Sequence, residues 1–499
     1  MDQRHINEKG MSILITALFI VGETAGGGLI ALPTAIVSTG AVTGAFLLLL
    51  AATICTYTGT LLAENWIILQ ELYPEYRDHC RKPYPAMGLR AIGPKFAHFV
   101  SAILQVTQFG TAVVFVLLAA KNGENMLHAN FGTHVSFCYM ILIVGILVFP
   151  FTLPKSPKDF WYAVVAAMIS TTISVVLIII GSVKDYEVCH KEVFYPSFDL
   201  PKTLMSFGTI MFSYGGHCAF PTIQHDMKKP HHFSRSVLIA FIIIFIFYLP
   251  VSMSGYFVYG SSLTDSIIPS IQNINIQTTV NLLITLHVSL ALTITFNPLN
   301  QEFEEVLNMS HGKLDYFSSS FLIDSLDFGW QRIVSRALVM ISVVFVAESV
   351  PNFGVLLDLV GGSTITLMAL VLPILFNLSL TTIRKKRENK ENEETITVKE
   401  IFKNSDKIKL LASILILVFA TFGGIAATVS AMQTMIQSEF SAPCYAKLWT
   451  HNSEILGQER TFEHGKIACC GMFRNISSMG SDICLNSASL ITVGSGSHG

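Results

Sequence analysis

Eleven stretches of mostly apolar residues constrain this 499-residue chain more than any other feature. They run approximately over residues 12–36, 41–64, 96–120, 135–154, 161–183, 203–223, 236–259, 278–298, 333–350, 354–379 and 409–432. A bilayer core takes about 20 such residues per helix, so the chain is expected to be an all-α polytopic membrane protein of about eleven transmembrane helices. Charged residues make up 13 % of the chain and apolar ones 51 %, whereas soluble domains carry about 25 % charged residues. A water-soluble domain so poor in charge could not cover its core. The net charge of −2 leaves no surplus of Lys and Arg for phosphate contacts, so the lipid bilayer and not nucleic acid is the expected environment. The first stretch is too long for the apolar region of a signal peptide, contains Glu23 and lacks a small-x-small cleavage site. It is read as a helix.

With eleven spans the two termini lie on opposite sides. The N-terminus and the even-numbered gaps hold 24 of the 32 Lys and Arg residues. The positive-inside bias therefore predicts a cytosolic N-terminus over residues 1–11, a membrane domain over 12–432 and an exoplasmic tail over 433–499. The membrane is expected to be the plasma membrane ahead of a lysosomal or vesicular one. The tail carries Cys444, Cys469, Cys470 and Cys484 and the glycosylation sequon at Asn475, and Cys189 lies in the exoplasmic loop 184–202. An oxidising compartment permits disulfides among these five, but spacing does not give their pairing. The sequons at Asn308 and Asn377 fall on the cytosolic side and are expected to stay bare. The basic run Arg384-Lys-Lys-Arg387 opens a solvated cytosolic linker.

Two spans share a break. The first contains Gly27-Gly28-Leu-Ile-Ala-Leu-Pro33 and the sixth Gly215-Gly216-His-Cys-Ala-Phe-Pro221, each reading Gly-Gly, four residues, Pro. They lie five spans apart, the separation of a five-helix unit repeated with inverted topology. Glycine pairs ease departure from the helix and proline removes a backbone donor. Freed backbone groups at membrane depth are tolerated where they line a cavity or coordinate something, and paired broken helices in two repeats point to a transporter's midplane site. The helical half after Gly28 offers N–H groups that suit a carboxylate. Carbonyls of the unwound stretches, with Ser213 and Tyr214, suit an amino group. A small amino acid or related zwitterion is the expected substrate, with Ala25, Gly26, Gly27, Gly28, Ser213, Tyr214, Gly215 and Gly216 as its candidate contacts.

These residues also resemble a known family. Ala25-Gly-Gly-Gly-Leu-Ile-Ala-Leu-Pro33 is similar to the first-helix signature of the amino acid/auxin permeases, and Phe207 to Gln224, followed by Met227-Lys-Lys-Pro230, to that of their sixth helix and following loop. Arg81-Lys-Pro-Tyr-Pro-Ala-Met-Gly88, Asn297-Pro-Leu-Asn300 and Val360-Gly-Gly-Ser363 with Pro373 resemble further motifs of that family. The resemblance covers roughly residues 10–432 and implies eleven helices, ten of them in the inverted-repeat fold of leucine-type transporters, with amino acid transport driven by H⁺ or Na⁺. This chain departs from the family at Gly22-Glu23-Thr24, where many members carry Asn or another small polar group.

Ionisable groups within spans mark coupling sites or hydrogen-bonded structural positions. Glu23, beside the first break, is the leading candidate for proton coupling, with Thr24 next to it. His217 follows the sixth-span glycines and is read equally as a proton relay or as a neutral fastener of the break. His287 is expected to be a packed core residue, and Glu348 and Asp358 to serve as gate or cap near the outer turn at Pro351. Thr293, Thr295 and Asn297 could complete a Na⁺ site with first-span carbonyls, although hydroxyls in membrane helices more often bond to their own helix. H⁺ is favoured as the coupling ion over Na⁺, with no organic cofactor and no resident metal. An enzyme is not expected, because the chain has no His-Glu-x-x-His, no Gly-x-Ser-x-Gly and no P-loop. A non-transporting amino acid sensor of the same fold is the alternative.

Overall fold

The structure is a computed structural model that describes residues 10–77, 80, 82–133, 135–153, 161–307, 330–389, 397–438, 443–447 and 470. Asn475, Cys469, Cys484 and the Asn308 sequon lie outside the described residues. The described chain is helical, and each of the eleven apolar stretches coincides with a helix or a pair of helices. Seven continuous helices are long and apolar enough to cross a membrane: Ala41–Leu72, Pro94–Leu127, Val164–Cys189, Pro230–Ser262, Ile274–Val306, Phe353–Glu388 and Lys407–Gln437. An eighth crossing is the bent pair Ile13–Thr24 and Gly27–Thr39, whose axes differ by 61°. The other three stretches correspond to the short apolar helix Phe137–Thr152, the broken sixth span, and the helix Trp330–Ser349.

The chain divides into two compact units. The first comprises residues 1–107, 196–253 and 357–436, that is, the first, second, sixth, tenth and eleventh spans with the parts of the third and seventh that adjoin them. The second comprises residues 108–195, 254–356 and 437–499, and holds the fourth, fifth, eighth and ninth spans with most of the third. The first and sixth spans, which carry the doubled break, thus belong to one unit. The fourth, fifth, eighth and ninth belong to the other, with most of the third.

In the first unit, small residues let helices approach. A Cβ on Gly28 would lie 2.7 Å from Ser213 Cα, and one on Gly361 would meet the carbonyl of Gly208. The tenth span continues from Phe353–Val360 through wide turns over Gly361–Ile365 and Leu367–Val371 before Leu372–Glu388. Such π-type turns are rare and gather at functional places. The eleventh span turns Ala420, Gly423, Ala427 and Ala431 inward. Its opposite face exposes Leu411, Leu415, Val418, Phe422, Ile425 and Ile436. That stripe suits lipid tails and would be an aggregation hazard in water.

The second unit is fastened by covalent and ionic links. Cys138 at the start of the fourth span is joined to Cys444, and Cys189 at the end of the fifth to Cys470. Arg336 of the ninth span pairs with Glu304 of the eighth at 2.8 Å, and both are buried. The same guanidinium donates to the Thr152 and Leu153 carbonyls at the end of the fourth. The buried Asp185 carboxylate accepts from the Tyr259 hydroxyl at 2.6 Å and the Gln272 N–H at 2.8 Å.

Candidate functional site

Both breaks fall in the first unit. The first half of span one ends at Thr24, and Ala25 and Gly26 leave the helix before it restarts at Gly27. Gly26 lies at φ −121°, ψ −124°, outside helical geometry. The restart leaves the N–H groups of Gly27 and Gly28 without intrahelical acceptors. Pro33 sits one and a half turns further on, inside the second half. In span six the first half ends at Ser213, Tyr214 and Gly215 leave the helix, a tight turn covers Gly216–Cys218, and the chain resumes as Phe220–His225 with Pro221 in its first turn. Proline lacks the N–H that an opening turn would leave unpaired, so it fits there.

The two breaks touch. A Cβ on Gly216 would collide with the Thr24 Oγ1, just as one on Gly28 would strike Ser213. Tyr248 of the seventh span joins them further: its hydroxyl lies 2.6 Å from the Ser213 carbonyl and 3.2 Å from the Thr24 carbonyl, so a single proton serves both unwound ends. The Tyr248 ring packs edge-on against Tyr214, with centroids 5.1 Å apart. Ser213 donates to the Thr209 carbonyl, and the Thr209 hydroxyl donates to the Asp358 carboxylate of span ten. The sequence reading missed Tyr248, although a phenol buried in an apolar span two residues before Pro250 requires a partner for its hydroxyl.

His217 is fully buried, and its Nε2 lies 3.0 Å from the Cys55 carbonyl and 3.2 Å from the Thr58 hydroxyl of span two. A carbonyl can only accept, so Nε2 carries a proton. The ring stacks on Phe220 at 4.6 Å. His217 therefore fastens the sixth-span turn to the second span. Three buried polar atoms close to the breaks have no hydrogen-bond partner among the described residues: Thr24 Oγ1, the Tyr214 hydroxyl and His217 Nδ1. Buried polar atoms are paired in the great majority of cases, so three unpaired ones on the segments around the breaks are unusual. Glu23, one residue before Thr24, is half-buried and makes no hydrogen bond or ion pair among the described residues.

The remaining candidates lie in the second unit or elsewhere in the first. Thr295 donates to the Ala291 carbonyl of its own helix at 3.1 Å, and Asn297 Oδ1 accepts from Gln301 at 3.0 Å. His287 lies 2.8 Å from the Thr171 hydroxyl and 3.1 Å from the Ala167 carbonyl, as a packed core histidine does. Glu348 accepts from the Cys444 N–H at 2.8 Å and so caps the short tail helix Cys444–Lys447. Cys138, inside a span by sequence, was outside the expected disulfide set. Its place at the first turn of the helix Phe137–Val148 puts it at the same end as Cys444.

The order and pairing of these helices are those of a membrane transporter fold. A solved structure of Mhp1, a nucleobase-cation-symport-1 family transporter in a closed conformation with bromovinylhydantoin bound, superposes with a TM-score of 0.52. The superposition covers 89 % of this chain and 98 % of that one at 11 % identity, which shows the leucine-transporter-like fold. The family model for transmembrane amino acid transporter proteins matches residues 9–402, and the chain belongs to that family. It is 26 % identical to the amino acid transporter AVT1B of Arabidopsis thaliana over 384 residues, 73 % of this chain and 64 % of that protein. It is 25 % identical to the vesicular inhibitory amino acid transporter of Mus musculus, over 73 % of this chain and 67 % of that one. The chain spans somewhat less than two thirds of the length of the Arabidopsis relatives it matches. The family is one of transporters, not enzymes.

Proposed function

We propose that this protein moves a small amino acid or related zwitterion across a membrane by alternating access, with H⁺ as the coupling ion. The observation that carries the reading is the junction of the two breaks. The Tyr248 hydroxyl serves the Thr24 and Ser213 carbonyls, and Thr24 Oγ1, Tyr214 and His217 present unpartnered polar atoms beside it. Bare N–H groups at Gly27 and Gly28 suit the substrate carboxylate, and the unwound carbonyls suit its ammonium. The names of the amino acid transporter relatives support the same substrate class.

Glu23 is the proposed proton carrier, because it adjoins the first break and is committed to no partner. Sodium would need several oxygens at short range, whereas a proton needs one group that can change charge beside the break, and Glu23 is such a group. The tail-bearing side is proposed to be exoplasmic. The charge bias places Cys138, Cys189, Cys444 and Cys470 together on that side, and both disulfides then lie in an oxidising compartment. An impermeant label applied to intact cells should reach an epitope fused after Gly499 in surface-sorted protein.

Purified protein in proteoliposomes tests the reading. An inward pH gradient should drive accumulation of a labelled small neutral amino acid. Glu23→Gln should retain exchange of substrate between the two sides and lose the acceleration by acid. Binding without net flux in the wild type would identify a sensor. Uptake that needs Na⁺ and ignores pH between about 5.5 and 7.5, a range bracketing the ordinary histidine value, would reject the proton and make Thr295 the residue to test.

A further inference from the structure

A cavity of about 490 Å³ opens in the first unit along the second half of the helix Ala41–Leu72, bounded on its other side by Gln224, Pro230 and Ser234. Its lining extends from Tyr57 to Glu71, a rise of about 21 Å along the helix axis at 1.5 Å per residue. The wall changes character along that length. From Tyr57 it passes Leu61 and Ala63 to Glu64 at its midpoint, and beyond Ile67 it ends at Glu71 and Arg77, with Lys409 beside Glu64.

The charged end is only loosely satisfied. Lys409 stands 3.8 Å from Glu64 and Arg384 stands 3.6 Å from Glu71, with all four side chains between 32 % and 59 % exposed. Hydrogen-bonded ion pairs are closer, at about 2.7–2.9 Å. Asn377 adds only a long contact to Glu64 at 3.5 Å. Arg77 spends its Nε on the Gln70 carbonyl, and its two terminal nitrogens have no partner among the described residues. Gln224 is 1 % exposed and donates to the Ala63 and Pro230 carbonyls, which leaves its Oε1 as a spare acceptor on the cavity wall. The Tyr57 hydroxyl is buried and unpartnered.

Two carboxylates about 10 Å apart on one helix face, beside a guanidinium whose terminal nitrogens have no partner among the described residues, fit a ligand that joins a primary ammonium to an anionic group. A free zwitterion would fill the mouth alone. The stretch behind it, from Glu64 back past Leu61 to Tyr57, rises about 10 Å, a third of a bilayer core of about 30 Å, which fits the glycerol and first acyl carbons of a lipid. We propose that this groove is a binding site for a phosphatidylethanolamine-type lipid. Its ammonium lies between Glu64 and Glu71, its phosphate meets Arg77, and its glycerol and first acyl carbons run along Leu61. The quaternary ammonium of phosphatidylcholine has no N–H to donate and would bind poorly.

The test uses the full-length protein in phosphatidylcholine nanodiscs doped with a photo-crosslinkable phosphatidylethanolamine. Label should appear on peptides of residues 57–77, and unlabelled phosphatidylethanolamine should compete while added phosphatidylcholine should not. Glu71→Gln and Arg77→Gln should each lower labelling about tenfold, equivalent to ~1.4 kcal/mol. Glu71→Asp, which keeps the charge, should retain most of the labelling, and Lys409→Gln, which removes a competing cation, should raise it. An unchanged Tm in each variant separates lost binding from lost fold. Equal labelling of the Glu71→Gln and Arg77→Gln variants, or equal competition by phosphatidylcholine, overturns the site. Competition by water-soluble glycerophosphoethanolamine as strong as by the lipid overturns the lipid as its occupant.

Discussion

Thr24, Ser213 and His217 in the first unit are met by single hydroxyls and main-chain carbonyls, whereas Glu304 and Arg336 in the second are met by each other and by two further carbonyls. The second unit also has two disulfides, one at each of two span ends. Lone neutral hydrogen bonds contribute about 1 kcal/mol each and can be exchanged for bonds to a guest. A buried ion pair holds one geometry, because removing either partner leaves an unpaired charge away from water. Under the proposed function, the exchangeable bonds of the first unit suit recognition and the fixed links of the second suit a rigid support.

The largest expected effect is on the junction of the breaks. Gly216→Val should abolish uptake while leaving surface expression largely intact, because the new side chain would occupy the space of Thr24 Oγ1. Normal uptake by this variant would mean that the sixth-span break is not at the site. The matching blow to the second unit is Arg336→Met. Among the described residues it leaves Glu304 with Arg332 at 3.9 Å as its one cation, and it should destabilise the protein by about 3–5 kcal/mol, read as a fall in Tm in detergent. Adding Glu304→Leu should restore most of that loss. If the double variant is as unstable as the single one, the pair is not acting as a charge unit.

Tyr248→Phe sharpens the contrast at smaller scale. It removes one hydroxyl proton shared by two carbonyls and should slow uptake on the order of tenfold, with Tm lowered by the equivalent of only ~1 kcal/mol. A large Tm loss with normal uptake would place Tyr248 among the rigid fasteners instead. The smallest effect belongs to Glu400, in the short helix Val398–Asn404 outside the spans. The Thr397 N–H, the Lys386 ammonium and the Thr397 hydroxyl push its carboxyl down to about 2. A carboxyl held below its unfolded value stabilises in full above that value and loses the contribution as pH falls through the folded one. Hydrogen exchange in residues 398–404 should therefore be unchanged from neutral pH to about 5 and accelerate below about 4, beyond the intrinsic rate change. Glu400→Gln should exchange faster at neutral pH and lack this added acid response.

The sequence by itself determined the elements and the location of their defects. Apolar runs near 20 residues have one cheap solution in lipid, so the apolar cores of the spans were legible, whereas helices such as Ala41–Leu72 and Phe353–Glu388 continue eight or nine residues past them. Gly-Gly and Pro act on the backbone locally, so the breaks at Ala25–Gly26 and Tyr214–Gly215 could be read within two residues of their place. Interactions between distant residues were not legible in the same way. That Tyr248 would serve Thr24 and Ser213, that Thr209 would hold Asp358, and that Cys138 would take Cys444 depend on which helix faces meet. A hydroxyl in an apolar run looks alike whether it bonds back to its own helix, as Thr295 does, or reaches across to another, as Tyr248 does. Its partner is chosen by packing over residues hundreds of positions apart, and only the tertiary structure decides it.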